Sequence, residues 1–297
     1  MSSPFLTIIT SFRSFLEGSE NTRIQRRFLD SISEIGKTKC VEIIAVQWSE
    51  VGVENELTRT KIPHQVIRLG NAIPYFRYSL SEVLEYAIPI SKGSIIIYTT
   101  CDVEFQRGFL EKIEYFMRNV DLIIPFPYME MEIEQTTQEP RVIQRVSSSG
   151  LDVFVFSGNS LKKLHLKGFF RSYRFLGWGM FDHFLVLVSL KQKLKIVRLS
   201  MEKEITKHVN DRNQNAETKE WLRITHRQNT GIVRQFIKIN FKYLPLLRLE
   251  GIYLAIDGNK LGFKQIIDFG GLYLIRAQLK FLVLKLIQRL RRSSPKE

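Results

Sequence analysis

The chain has 297 residues, 44% hydrophobic and 25% charged, which is enough for one large domain or two modest ones and excludes wholesale disorder. Lys and Arg outnumber Asp and Glu by 44 to 30, a net charge of +14, so a polyanionic partner is expected: nucleic acid, nucleotide phosphates or an anionic membrane face. The cysteines, Cys40 and Cys101, form no CxxC and lie far apart, which argues against a zinc cluster or disulfide scaffold and fits a reducing compartment.

In chain order, the apolar run 5–10 predicts a short buried strand, too short for a signal-peptide core and preceded by no basic segment. Ile24, Phe28, Ile32 and Ile35 recur at helical spacing and predict an amphipathic helix over 23–35. Strands are expected at 41–46, at 65–69 in a more exposed position, at 94–98 and at 122–125, with helices over 78–90 and 108–119. This alternation predicts a mostly parallel sheet covered on both faces. Ligands in such sheets gather beyond the carboxyl ends of the strands, here 10–13, 47–50 and 99–104.

Residues 128–149 are polar and acidic and read as a loop or hairpin. A strand is expected at 151–157, a helix at 181–190 and a strand at 195–199. The stretch 207–230, rich in Asn, Thr, Gln and charge, reads as a mobile loop with some helix around Trp221. From 270 to 292 the chain changes character. Leu272, Ile275, Leu279, Leu282, Val283, Leu286 and Leu290 share one helical arc, accompanied by Arg276, Lys280, Lys285, Arg289, Arg291 and Arg292 and by no acid. Such a helix suits either an anionic membrane surface or packing against the domain or a second copy. The expected division is a domain over 1–235 and a helical extension over 236–297. No apolar run approaches the roughly 20 residues of a membrane span, so the expected location is the cytoplasm, free or attached to the inner membrane face.

Two acidic stations carry the chemistry. Asp102 and Glu104 follow the apolar run 94–98. Strand alternation would point both carboxylates to one side, where they repel unless a cation such as Mg²⁺ or Mn²⁺ lies between them. Two solvated surface acids are the plainer alternative. Far downstream, Gly177, Trp178 and Gly179 form a turn that allows close backbone approach and offers a flat ring to a sugar or other acceptor. Asp182, opening the next helix, is then a candidate general base, or else simply a helix-capping acid.

On these residues the chain resembles the GT-A glycosyltransferases: the family 2 group in its first half, and the galactosyltransferase pattern Gly-Trp-Gly-Gly-Glu-Asp at 177–182, with Met180 and Phe181 replacing Gly-Glu. The resemblance spans about 5–210. It implies that Asp102, Glu104 and His208 hold Mn²⁺ or Mg²⁺ on the diphosphate of a nucleotide sugar. It implies donor contacts from Thr10, Phe12, Arg13, Glu50, Arg77, Cys101 and Asp102, with Ser81 where many relatives have Asn. It further implies acceptor contacts from Gly177, Trp178 and Gly179, and Asp182 as base in inverting transfer. The expected function is therefore glycosyl transfer to a glycan or lipid-linked acceptor. A degenerate sugar-nucleotide binder is the runner-up. A nucleic-acid binder is disfavoured because the sequence has no helix-turn-helix cue, zinc spacing or RNP-like strand. A nucleotidyltransferase is disfavoured because 5–14 contains no glycine. His165, His183 and His226 are expected to be structural or surface residues.

Overall fold

The computed structural model describes residues 5–70, 80–125, 128–133, 142–147, 151–175, 180–199, 206–208 and 216–240. In chain order, strand β1 (Leu6–Thr10) leads to helix α1 (Glu20–Gly36), then β2 (Val41–Gln47), α2 (Val53–Thr60), β3 (His64–Arg68), α3 (Leu80–Ile90) and β4 (Ile95–Thr99). Next come β5 (Val103–Phe105), α4 (Phe109–Met117), β6 (Leu122–Pro125), the hairpin β7 (Tyr128–Ile133) and β8 (Val142–Ser147), and β9 (Val153–Ser157). Then follow α5 (Gly158–Leu166), α6 (Phe169–Ser172), α7 (Phe181–Lys191), β10 (Ile196–Leu199), β11 (Thr206–His208) and α8 (Ala216–Asn240).

Among the described residues seven strands form the main sheet, in the order β10-β6-β9-β4-β1-β2-β3. β1 runs parallel to β2 and β4, β2 to β3, and β6 to β10, while β9 alone is antiparallel, to both β4 and β6. β1, β2, β4 and β6 are buried along their whole length, which is why they read as unbroken apolar runs rather than alternating ones. α1 starts at Ser19, whose hydroxyl accepts from Thr22 N, and it buries Ile24, Phe28, Leu29, Ile32 and Ile35 toward the sheet. α7 is buried on nearly every side, from Phe181 to Ser189.

The second sheet has the order β5-β11-β7-β8. Two expectations change here. The acidic stretch 128–149 is indeed a hairpin, and it joins this sheet. In the stretch 207–230 the helix expected around Trp221 is present but far longer, the 25-residue α8, and its start belongs to strand β11 rather than to a loop. Its polar, charged composition suits a helix with exposed faces, such as Arg227, Gln228 and Gly231 present. By proximity the chain divides into two compact units, Met1–Ile232 and Val233–Glu297. The basic helix expected over 270–292 lies outside the described residues.

At the amino ends of the strands, Thr7 Oγ1 donates to Glu42 Oε1 (2.5 Å) and accepts from Gly93 N (2.8 Å), and Glu42 Oε1 also accepts from Lys92 N (2.7 Å). Both side chains are buried, so this junction between β1, β2 and the turn into β4 satisfies groups that water cannot reach. Gly93 is there because nothing larger fits: a Cβ would lie 2.5 Å from Thr7 N and 2.7 Å from Ile95 O, both backbone atoms. Gly93→Ala should destabilise the domain by about 1–3 kcal/mol through this overpacking, read as a lower urea midpoint. An unchanged midpoint would show that the turn has room to spare.

Candidate active site

The carboxyl ends of β1, β2 and β4 meet at one end of the sheet, and α1 ties two of them together. Gln25, 2% exposed, accepts from Arg13 N at Oε1 (2.6 Å) and donates to Arg13 O from Nε2 (3.3 Å). The same Oε1 accepts from the Cys101 thiol (3.3 Å). The segment after β1 and the turn after β4 are therefore held by a single buried amide. The guanidinium of Arg13 stays exposed and bonds Asn21 Oδ1 (2.7 Å).

Several expected donor contacts turn inward instead. Phe12 is 2% exposed and packs against Phe15 and Phe28 with centroids 5.6 and 6.0 Å apart, so its ring belongs to the core and cannot stack on a base. Thr10 is completely buried. Cys101 packs against the core, and its thiol is pushed up to about 12, first by burial and then by the Asp102 charge. It is therefore a neutral thiol whose contact with Gln25 helps hold the turn. Glu50, 6% exposed, accepts from Trp48 N (2.8 Å). With its amide nitrogen facing Glu50, Gln47 donates to Glu50 Oε2 (3.1 Å) and to Phe12 O (3.0 Å) and accepts from Phe12 N (2.9 Å). Glu50 thus braces the β2 tip against the β1 tip. Arg77, Gly177, Trp178 and Gly179 lie outside the described residues. Ser81 is buried, and its Oγ accepts from Phe175 N (3.3 Å), anchoring the chain that enters the 176–179 segment.

The acidic motif is bent rather than straight. β4 ends at Thr99, and Asp102 sits in the turn before β5, so strand alternation does not link it to Glu104. Glu104 instead pairs with Arg27 of α1 (2.6 Å). His208 returns to this motif: in the antiparallel β5–β11 ladder it stands opposite Val103, between the two acids, while Lys207 stands opposite Glu104. Among the described residues, no three His, Cys, Asp or Glu side chains converge to hold a metal. For a divalent cation the residues present fit in a reduced form. Asp102 offers a carboxylate at the strand tip, Glu104 does not fit while Arg27 holds it, and phosphate oxygens and water would fill the remaining positions, as is usual for Mg²⁺.

A third carboxylate belongs to this end and was not singled out from the sequence. Asp152 O accepts from Thr100 N (3.2 Å), and Val153 pairs with Thr99, so Asp152 stands across from the turn that carries Asp102. Only the reversal of β9 brings it there, and no local pattern announces that reversal.

Asp182 lies in the first turn of α7. Its Oδ1 accepts from His183 N (2.8 Å) and lies 2.8 Å from His183 Nδ1, which places the imidazole proton on Nδ1. His183 is 7% exposed and Asp182 24%. Among the described residues no hydrogen bond reaches Asp182 Oδ2. His183, expected to be a structural or surface residue, is buried and makes these contacts to Asp182 from the adjacent position, and its only sequence signal is that adjacency. Tyr98 of β4 meets Phe181 edge-on (5.8 Å), and its phenol is held well above the ordinary range by burial and then by the Asp182 charge. Tyr98 therefore joins the strand leading to Asp102 with the helix carrying Asp182. Just before α7, Met180 adopts a left-handed backbone (φ 69°), a conformation suited to the Gly of the resembled pattern.

No protein-family model and no curated protein sequence matches the chain. Among solved structures it is similar to glucosyl-3-phosphoglycerate synthase from Mycobacterium tuberculosis in complex with Mn²⁺, UDP and glucosyl-3-phosphoglycerate, with a TM-score of 0.51 and 13% identity over 82% of each chain. The structure of the same enzyme with Mg²⁺ and UDP gives 0.50 and 13% over 82% of this chain and 81% of that one. A 4-diphosphocytidyl-2C-methyl-D-erythritol synthase from Anaerococcus prevotii matches with a TM-score of only 0.43 at 11% identity, over 76% of this chain and 98% of that one.

Cys101 gives a direct test of this geometry. At pH 8 a thiol reagent should label the exposed Cys40 quickly and the partly buried, protonated Cys101 far more slowly. Because the folded thiol keeps its proton up to about 12 while the ordinary value is 9.0, the unfolded chain releases that proton first. Stability should then fall as pH rises from about 9 toward 12, and Cys101→Ala should flatten that limb. Rapid labelling of both cysteines would contradict the buried amide–thiol contact. Taken with the mostly parallel sheet flanked by helices, the likeness to the synthase structures gives the chain a GT-A-type α/β fold.

Proposed function

We propose that the protein is a metal-assisted glycosyltransferase that moves a sugar from a nucleotide-diphosphate donor to an acceptor hydroxyl with inversion. What carries this reading is where the two acidic residues fall relative to one strand. Asp102 follows β4, and Asp182 opens α7 against Tyr98 of the same strand. The shared fold supports it, because the Mycobacterium tuberculosis relatives hold UDP with Mn²⁺ or Mg²⁺. At 13% identity that likeness carries the fold and not the substrate.

In this reading Asp102 holds the divalent cation and Arg13, exposed at the β1 tip, faces the diphosphate. The cation, when bound, offsets the negative charge that grows on the departing nucleoside diphosphate. Asp182 receives the acceptor proton at Oδ2, the oxygen that His183 leaves open. Trp178, between Gly177 and Gly179, supplies the face on which the acceptor packs. The family resemblance would add Arg77 to the phosphate contacts and His208 to the ligands of the cation. The acceptor is a glycan or lipid-linked sugar at the cytoplasmic membrane face, with the extension 236–297 contributing its basic helix to that surface. A sugar-nucleotide binder without turnover is the second reading. The hold of Arg27 on Glu104 and the left-handed Met180 favour it.

A thermal-shift panel of nucleotide sugars with and without Mn²⁺ identifies donor and metal together, since a ligand of the native state raises its apparent stability. Asp102→Ala should erase the Mn²⁺-dependent shift, and a normal shift would remove Asp102 from the metal site. Asp182→Asn should keep donor binding yet lower transfer by about 10²–10⁴-fold; undiminished turnover would remove it as base.

His183 separates orientation from packing. His183→Asn, which retains a donor near the Nδ1 position, should keep most of kcat. His183→Phe should lower kcat by about tenfold with KM little changed. Equal loss in the two variants would make the imidazole a packing group only.

A further inference from the structure

The strongest surface feature outside the candidate site is the outer face of α5 and α6. Lys162, Lys163, Leu166 and Lys167 fall on one helical face, and all four are exposed. Leu166 stands 82% in solvent, the most exposed large hydrophobic side chain among the described residues. Arg171 and Arg174 continue the basic surface with side chains 81% and 77% exposed, reaching back only to Glu85 (2.8 Å) and Glu82 (3.9 Å) of α3. No acidic residue occurs anywhere between Asp152 and Asp182. Among the described residues none of the three lysines pairs with a carboxylate.

We propose that this α5–α6 face is a docking surface for an anionic membrane. The charge alone would suit any polyanion, and the leucine decides between them. A phosphodiester backbone gives a protruding aliphatic side chain nothing to bury against. The headgroup layer of a bilayer offers anionic phosphates at one depth and hydrocarbon just beneath, so it takes the lysines and Leu166 together. Lysine suits that boundary, since its methylenes lie along apolar surface while its ammonium stays in water.

The face also lies on the segment that feeds the candidate base. Phe175, just beyond Arg174, receives Leu80 N at its carbonyl (3.1 Å) and donates its own N–H to Ser81 Oγ, and the chain then leads to Asp182. Docking here is independent of the extension 236–297 and does not require the transferase reading.

The test is co-sedimentation of the full chain with vesicles of phosphatidylcholine mixed with phosphatidylglycerol, against vesicles of phosphatidylcholine alone. The wild type should bind the anionic vesicles and hardly the neutral ones. The triple variant Lys162→Glu, Lys163→Glu, Lys167→Glu should partition roughly tenfold more weakly or worse, and Leu166→Ser roughly fivefold more weakly. All four positions are on the surface, so unchanged melting temperatures are expected. Should the triple reversal fail to fold, the corresponding Lys→Gln variant, which removes charge without reversing it, gives the same ordering with a smaller loss. Equal partition of wild type and variants would overturn the proposal and assign vesicle binding to the extension. Retention on duplex DNA that the triple variant loses, without wild-type binding to anionic vesicles, would overturn it in favour of nucleic acid.

Discussion

The arrangement depends on how β4 is paired: parallel to β1 on one side and antiparallel to β9 on the other. Backbone groups on both edges of β4 are thereby committed to the ladder, and its side chains are buried on both faces. Polar function can then appear only where the strand ends. The parallel neighbour sets the Arg13 segment beside the Cys101–Asp102 turn. The antiparallel neighbour brings Asp152 to that turn and starts α5 at the opposite end of the sheet. The chain returns through α5 and α6 and reaches Asp182, in the first turn of α7, whose charge acts on Tyr98.

The charges at this end are not simply a cluster of acids. Glu104 is balanced by Arg27, Glu56 on α2 by Arg26 and Arg59, and Glu50 accepts backbone and amide hydrogens. The carboxylate of Glu56 is held below the usual range chiefly by its hydrogen bond to Arg26. Such braces hold the loops without adding to the field at Asp102 and Asp182. Each of these carboxylates is neutralised or hydrogen-bonded locally.

The main sheet was legible because its strands are unbroken apolar runs: 5–10, 41–46, 94–98 and 122–125 each correspond to a wholly buried strand. What the sequence hid was the direction of individual side chains. Phe12 and Cys101 follow strand ends, where exposure is the natural expectation, yet α1 offers Phe28 and Gln25 to receive them. Glu104 was read as a metal ligand through a period of two that does not survive the turn at Asp102. The β11 segment was taken for a loop, and only a little of α8, around Trp221, was read as helix, because their polar composition lacks a strong periodic signal. The neighbourhood of His208 was anticipated from the resemblance, and the β5–β11 ladder puts its backbone beside the acidic motif.

The second sheet is joined through very little chain. The hairpin β7–β8 reaches the acidic strand β5 by way of β11, three residues long, and among the described residues β11 meets β7 at the pair Lys207 and Tyr128. The partners are also far apart in sequence, so closing this sheet requires ordering a long stretch of chain for few hydrogen bonds. It should therefore form after the main sheet, on the descending side of the folding barrier. In the native state it should open locally before the rest, with amide hydrogens in β11 exchanging well before those of β1 or β4. The main sheet would thus persist as a cooperative unit while the wall beside the acidic turn comes and goes.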